Sequence, residues 1–150
     1  MKKELNISAI EEGTVIDHIP SDATFKVADI LDLKNTKGII SVAANLSSKI
    51  MGKKGIIKIE GKYLTQEEAD KIAIIAPEAT VNMIKDYEVT KKSKVSLPKT
   101  LNRIIKCSNP ICITNKEKEN TLFYVLGKFP LKVKCHYCER QMGRDDIVIV

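Results

Sequence analysis

The chain has 150 residues, of which 43% are hydrophobic and 29% charged, with a formal net charge of +6. That is globular composition, with room for one ordinary domain or two small ones, and it excludes a disordered or fibrous chain. No apolar run reaches the roughly 18 residues of a membrane span, and with 5% aromatic residues and no Trp neither a large aromatic-lined pocket nor a base-stacking platform is expected.

The apolar run Val15–Ile19 lies between Gly13 and Pro20 and predicts a strand. Ser21 or Asp22 can then cap a helix whose Phe25, Ala28, Ile30 and Leu31 form an apolar stripe into Leu33. Gly38–Leu46 reads as a second strand, Ser47–Lys54 as a loop, and Ile56–Glu60 as a third strand. Thr65 followed by Glu68 has capping-box spacing. Ala69, Ile72, Ala73 and Ala76 recur at helical intervals behind it, and Pro77 ends that helix. Ala79–Lys85 predicts a fourth strand, and Tyr87–Thr90 a possible fifth. The order β-α-β-β-α-β is the ferredoxin-like arrangement, an α+β fold with an antiparallel sheet and both helices on one face.

Two strands carry polar interruptions. Asp17 and His18 sit within VIDHI, and Lys58 sits within IIKIE. Strand side chains alternate between faces, so these residues either face solvent or line a polar pocket on the open sheet face. In such a pocket a lysine meets phosphate and a carboxylate accepts from ribose hydroxyls. The common phosphate loops G-x-x-x-x-G-K-[ST] and G-x-G-x-x-G are absent.

Composition changes near Ser96-Leu97-Pro98. Residues 1–97 are almost neutral, whereas residues 98–150 carry seven lysines and three arginines against five acids, and all four cysteines. Two domains are therefore predicted, 1–97 and 98–150. Cys107-x4-Cys112 and Cys135-x2-Cys138 are two close pairs separated by a loop, the spacing that brings four thiolates to one tetrahedral Zn²⁺. The alternative is two disulfides. The opening MKKELNISAIEEG has no apolar stretch of signal-peptide length, which points to a reducing, cytoplasmic compartment and so to zinc. Four protein ligands leave no position for water or substrate, so the zinc is read as structural. His136 is wedged between Cys135 and Cys138 and is not taken as a ligand. Leu122–Leu126, Leu131–Val133 and Ile147–Val150 read as short strands of a small zinc-binding β domain.

A basic zinc ribbon also suits nucleic acid, but Glu117, Glu119, Glu139, Asp145 and Asp146 interleave with its cations, and a protein partner fits as well. No nucleophile, base and orienting group come together. His18 and His136 lie in different domains and the cysteines are committed to metal, so an enzyme is not expected.

The segments GTVIDHIP (Gly13–Pro20), MGKKGIIKIE (Met51–Glu60), APEATVN (Ala76–Asn82) and KSKVSLP (Lys92–Pro98), with the four cysteines in order and spacing, resemble the regulatory chains of aspartate carbamoyltransferase. The resemblance implies a non-catalytic chain that binds CTP as inhibitor and ATP as activator in its first domain. It implies pairing of such chains through that domain, and a zinc domain that contacts the catalytic chain in pyrimidine biosynthesis. By that resemblance Ile10 and Tyr87 offer backbone groups to the base, and Asp17 accepts from the ribose. Lys58 reaches base and ribose, His18, Lys92 and Lys54 reach the phosphates, and Ala9, Val15, Asn82, Ile84 and Val89 form the walls. Cys107, Cys112, Cys135 and Cys138 would hold the zinc. The alternative is a zinc-ribbon nucleic-acid-binding protein.

Overall fold

The computed structural model describes residues 9–150; the first eight residues of the predicted 1–97 domain lie outside the described residues. The chain divides into two compact units, one running to Val95 and one spanning Ser96–Val150. The break falls just before Leu97-Pro98, because the Val95 N–H still donates to Ala79 O at 3.0 Å within the first unit.

The first unit contains β1 (Gly13–Pro20), α1 (Thr24–Ile30), β2 (Ile40–Ser48), β3 (Gly52–Glu60), α2 (Gln66–Ile75), β4 (Thr80–Lys85) and β5 (Glu88–Lys94). The strands form one sheet in the order β2-β3-β1-β4-β5, antiparallel throughout. This is the ferredoxin-like order with one further edge strand. Ile16, Ile57 and Ile59 are fully buried, as are Val27 of α1, Leu31 just after it, and Ile72 and Ala73 of α2. One sheet face is therefore core and the other is left open.

VIDHI does not alternate simply. Ile16 pairs with Ile57, but Ile19 pairs with Gly55, so β1 spends one extra residue there. His18 absorbs the bulge at φ 58°, and Ile16 and Ile19 both reach the core while Asp17 and His18 stay half-buried between them. A second bulge flanks the same stretch of β3. Ala43 pairs with Ile56 but Leu46 with Lys54, and Asn45 takes φ 62°. Ser21 ties the two together, its hydroxyl donating to Asn45 Oδ1 at 2.9 Å and accepting from the Asn45 N–H at 2.6 Å.

That use of Ser21 corrects the expected cap. A 3₁₀ turn over Ser21–Ala23 precedes α1, and Ala23 caps it without a side-chain bond. The apolar stripe is also displaced. Phe25 is 64% exposed, while Thr24, Val27 and Leu31 are buried. Thr24 sets this register because it packs against β3 at Gly55, where an added β-carbon would overlap its hydroxyl. The expected loop Ser47–Lys54 is mostly strand, since β2 runs to Ser48 and β3 starts at Gly52. The capping box on α2 is present. Thr65 accepts from the Glu68 N–H, and Glu68 Oε1 accepts from the Thr65 N–H at 3.0 Å. Between β4 and β5, Asp86 and Tyr87 both have positive φ, 51° and 65°, the conformation of a two-residue type I′ hairpin turn.

The second unit contains β6 (Thr100–Asn102), β7 (Ile105–Lys106), α3 (Ile113–Lys116), β8 (Leu122–Lys128), β9 (Leu131–Cys135), β10 (Gln141–Gly143) and β11 (Val148–Ile149). β10-β9-β8-β6 form a sheet, and β11 pairs with β7. Leu101, Phe123, Val133 and Met142 make its small core. β6, β7 and β10 were not expected; each is two or three residues long, too short for a periodicity to show.

Candidate functional site

Cross-strand register assembles the open face of the first unit. Lys58 on β3 lies opposite Val15 on β1, Val15 opposite Asn82 on β4, and Asn82 opposite Lys92 on β5. Residues directly opposite in a sheet project from the same face, so four strands contribute to one row. Two residues along, Asp17 lies opposite Thr80 and Thr80 opposite Lys94. In the other direction Ile84 lies opposite Val89. Asn82 is buried, and its Nδ2 donates to Val15 O at 3.3 Å, which holds the row together.

At one end, Asp17 Oδ1 accepts from the His18 N–H at 2.6 Å and pairs with Lys54 Nζ at 2.9 Å. Partial burial raises the Asp17 carboxyl, but the Lys54 and His18 bonds and charges outweigh it and hold its pKa below the usual value. His18 Nδ1 meets Thr80 Oγ1 at 3.0 Å. A cleft of ≈ 1100 Å³ opens beside this end, lined by His18, Thr80 and Lys94 among others. At the opposite end, the Tyr87 N–H donates to Glu11 O at 2.9 Å, which brings buried Ile10 to the β4–β5 turn. Ala9 is exposed and enters as the neighbour of Ile10.

The residues singled out in the sequence thus meet on one face. Val15, Asp17, Lys58, Asn82, Ile84, Val89 and Lys92 share it, His18 and Lys54 flank one end, and Ile10 and Tyr87 flank the other. Lys54 and Asp17, expected to serve different parts of a ligand, are paired with each other. Among the residues of the face that the sequence reading missed are Thr80 and Lys94. Both stand two positions from a named residue, Asn82 and Lys92, so strand alternation was the available signal.

The second unit gathers its cysteines. Cys107 follows β7, Cys112 caps α3, Cys135 ends β9, and Cys138 lies in the turn before β10. The four sulfurs lie within 4.8 Å of one another, with Cys107–Cys138 at 3.6 Å and Cys112–Cys135 at 3.8 Å. A disulfide needs about 2.05 Å. Tetrahedral coordination with metal–sulfur bonds of about 2.3 Å places sulfurs about 3.8 Å apart, so the set fits one four-coordinate ion. Burial pushes the Cys107 thiol up to about 12 and raises Cys135. Burial also acts against Cys138, but hydrogen bonds from the Arg140 backbone, the Asn109 side chain and Cys107 hold it at about 7. Asn115 Nδ2 stitches the first pair's loop, donating to Cys107 O at 2.9 Å and Asn109 O at 2.7 Å.

Residues 5–96 match the family described as aspartate carbamoyltransferase regulatory chain, allosteric domain, and residues 99–148 match its metal binding domain. The chain belongs to the aspartate carbamoyltransferase regulatory chain family. It is 52% identical to the regulatory chain of Pyrococcus horikoshii over 147 residues, 97% of each chain. Identity to that of Thermococcus sibiricus is 53% over 146 residues, again 97% of each. To that of Bacteroides fragilis it is 47% over 149 residues, 99% of this chain and 97% of the other. Family membership makes this a regulatory, non-catalytic chain whose four-cysteine cluster lies in the metal-binding domain. Among the described residues no helix is long and apolar enough to cross a membrane.

Proposed function

We propose that the open face of the first unit binds CTP and ATP, and that the chain passes this binding to aspartate carbamoyltransferase catalytic chains through a zinc-stabilised second unit. The observation that carries the reading is the row Lys58–Val15–Asn82–Lys92, extended by Asp17–Thr80–Lys94. Several cations, one carboxylate and an apolar centre on one surface match the parts of a nucleotide triphosphate. Lys92, Lys94 and His18 take phosphate oxygens. Asp17 accepts from ribose hydroxyls once Lys54 turns to the phosphates. The Ile10 and Tyr87 carbonyls accept from the exocyclic amine of cytosine or adenine, against walls formed by Ala9, Ile84 and Val89. Recognition through backbone groups needs no aromatic stack.

Cys107, Cys112, Cys135 and Cys138 hold zinc, which supplies no chemistry to the reaction and stabilises a unit too small to bury a sufficient core. The allosteric domain is taken as 1–97 and the metal domain as 98–150. Chains pair as homodimers through the first unit, in the cytoplasm, and the second unit contacts the catalytic chain. Effectors shift the assembly only through unequal affinity for its two quaternary states, CTP favouring the less active state and ATP the more active one.

The test is calorimetric titration of the metal-loaded chain with CTP. We expect saturable binding near one nucleotide per chain, and its loss in a folded Lys58→Ala chain. Wild-type affinity in Lys58→Ala would overturn the site. Retention of polynucleotide with steep salt dependence, and indifference to CTP, would favour the nucleic-acid alternative.

A further inference from the structure

Each sulfur of the cysteine cluster needs donors to balance the charge of a thiolate held in a buried site. Cys107 receives a hydrogen bond from the Asn109 backbone, Cys135 from the Tyr137 and Cys138 backbones, and Cys138 from the Arg140 backbone. Cys112 caps α3, and the N–H groups of Asn115 and Lys116 donate to its carbonyl at 2.9 and 3.1 Å. Thr114 stands in the single turn of that helix, its Oγ1 3.2 Å from Cys112 Sγ, and is only 6% exposed.

We infer that Thr114 is a positioning residue of the metal centre, its hydroxyl donating to the Cys112 thiolate. This rests on the reading of the four cysteines as a metal site. A metal-bound cysteine has lost its proton, so its sulfur can only accept and Thr114 must be the donor. The bond draws electron density from that sulfur and holds the Cys112 side chain in ligating orientation. Partners of this outer kind typically change metal affinity by about 10–100-fold.

The experiment uses the full chain loaded with Co²⁺. Thr114→Val keeps the shape and removes the hydroxyl; Thr114→Ser keeps the hydroxyl. In Thr114→Val we expect the sulfur-to-cobalt charge-transfer band at lower energy and metal loss to a chelator faster by about tenfold. Thr114→Ser should retain the wild-type band and a rate close to wild type. If Thr114→Val does not fold, Thr114→Ala removes the same hydroxyl without the branched methyl and carries the test. A wild-type band and rate in the hydroxyl-free variant overturns the inference. Equal changes in Thr114→Val and Thr114→Ser also overturn it, since they report packing alone. Failure of the wild-type chain to bind Co²⁺ would instead overturn the metal reading beneath it.

Discussion

Asp17 and Lys54, on neighbouring strands β1 and β3, form an ion pair of 2.9 Å at the level where both flanking strands bulge. The bulge in β1 is what turns Asp17 and His18 together away from the core. Because the folded Asp17 pKa lies below its ordinary 3.8, the pair stabilises the fold above the unfolded value. That contribution is lost as pH falls through the lowered one. Asp17→Asn should cost under about 1 kcal/mol at pH 7, the usual worth of a half-exposed pair. The difference from wild type should shrink in urea denaturation as the pH is taken below the ordinary 3.8 and the lowered carboxyl becomes protonated. A difference that persists in acid would show that packing, not charge, is what Asp17 contributes.

Alternation along β5 makes a sharper test of the open face. Lys92 and Lys94 stand opposite Asn82 and Thr80, whereas Lys91 stands opposite Met83 and projects the other way. Lys92→Ala or Lys94→Ala should weaken CTP binding roughly tenfold, the scale of one charge-assisted hydrogen bond. CMP should be affected far less. Lys91→Ala should bind as wild type in the same calorimetric titration.

Removing the metal should disorder the second unit while leaving the first folded. The second unit's core around Leu101, Phe123, Val133 and Met142 is small, whereas the first unit has its own core around Ile16, Ile57 and Ile72. Amide NMR spectra with and without a chelator should lose dispersion only for residues after Val95. Catalytic-chain association should be lost with it, and CTP binding retained. Acid should act in the same direction. The Cys107 thiol, pushed up to about 12 by burial, must release its proton to solvent when an ion binds, so metal affinity falls as pH falls. A metal-free chain that still held catalytic chains would contradict this account.

The Thr65–Glu68 box is worth measuring on its own. Thr65→Ala removes the side-chain acceptor for the Glu68 N–H and should destabilise the first unit by about 1 kcal/mol. The expected readout is a lower urea midpoint with an unchanged slope. Thr65→Ser should recover most of the loss.

What could be read from the chain in advance was what chemistry decides within a few residues. Thr65 and Glu68 meet across one helical turn, Pro77 stops that helix locally, and the paired cysteines announce four thiolates by spacing alone. The strand order followed from the sequence of elements, and the candidate nucleotide residues from the resemblance to a family. Tertiary structure decided the rest. Strict period-two reading puts Asp17 and Ile19 on one face; only pairing with β3 inserts His18 as an extra residue and separates them. Phe25 looks like core until Thr24 docks at Gly55 and turns the helix so that Val27 faces inward. Lys58, Val15, Asn82 and Lys92 are far apart in the chain, and no local signal aligns them. Their row exists because backbone ladders between four strands fix one register, and burial of Ile16, Ile57 and Ile59 on the opposite face makes any other register costly.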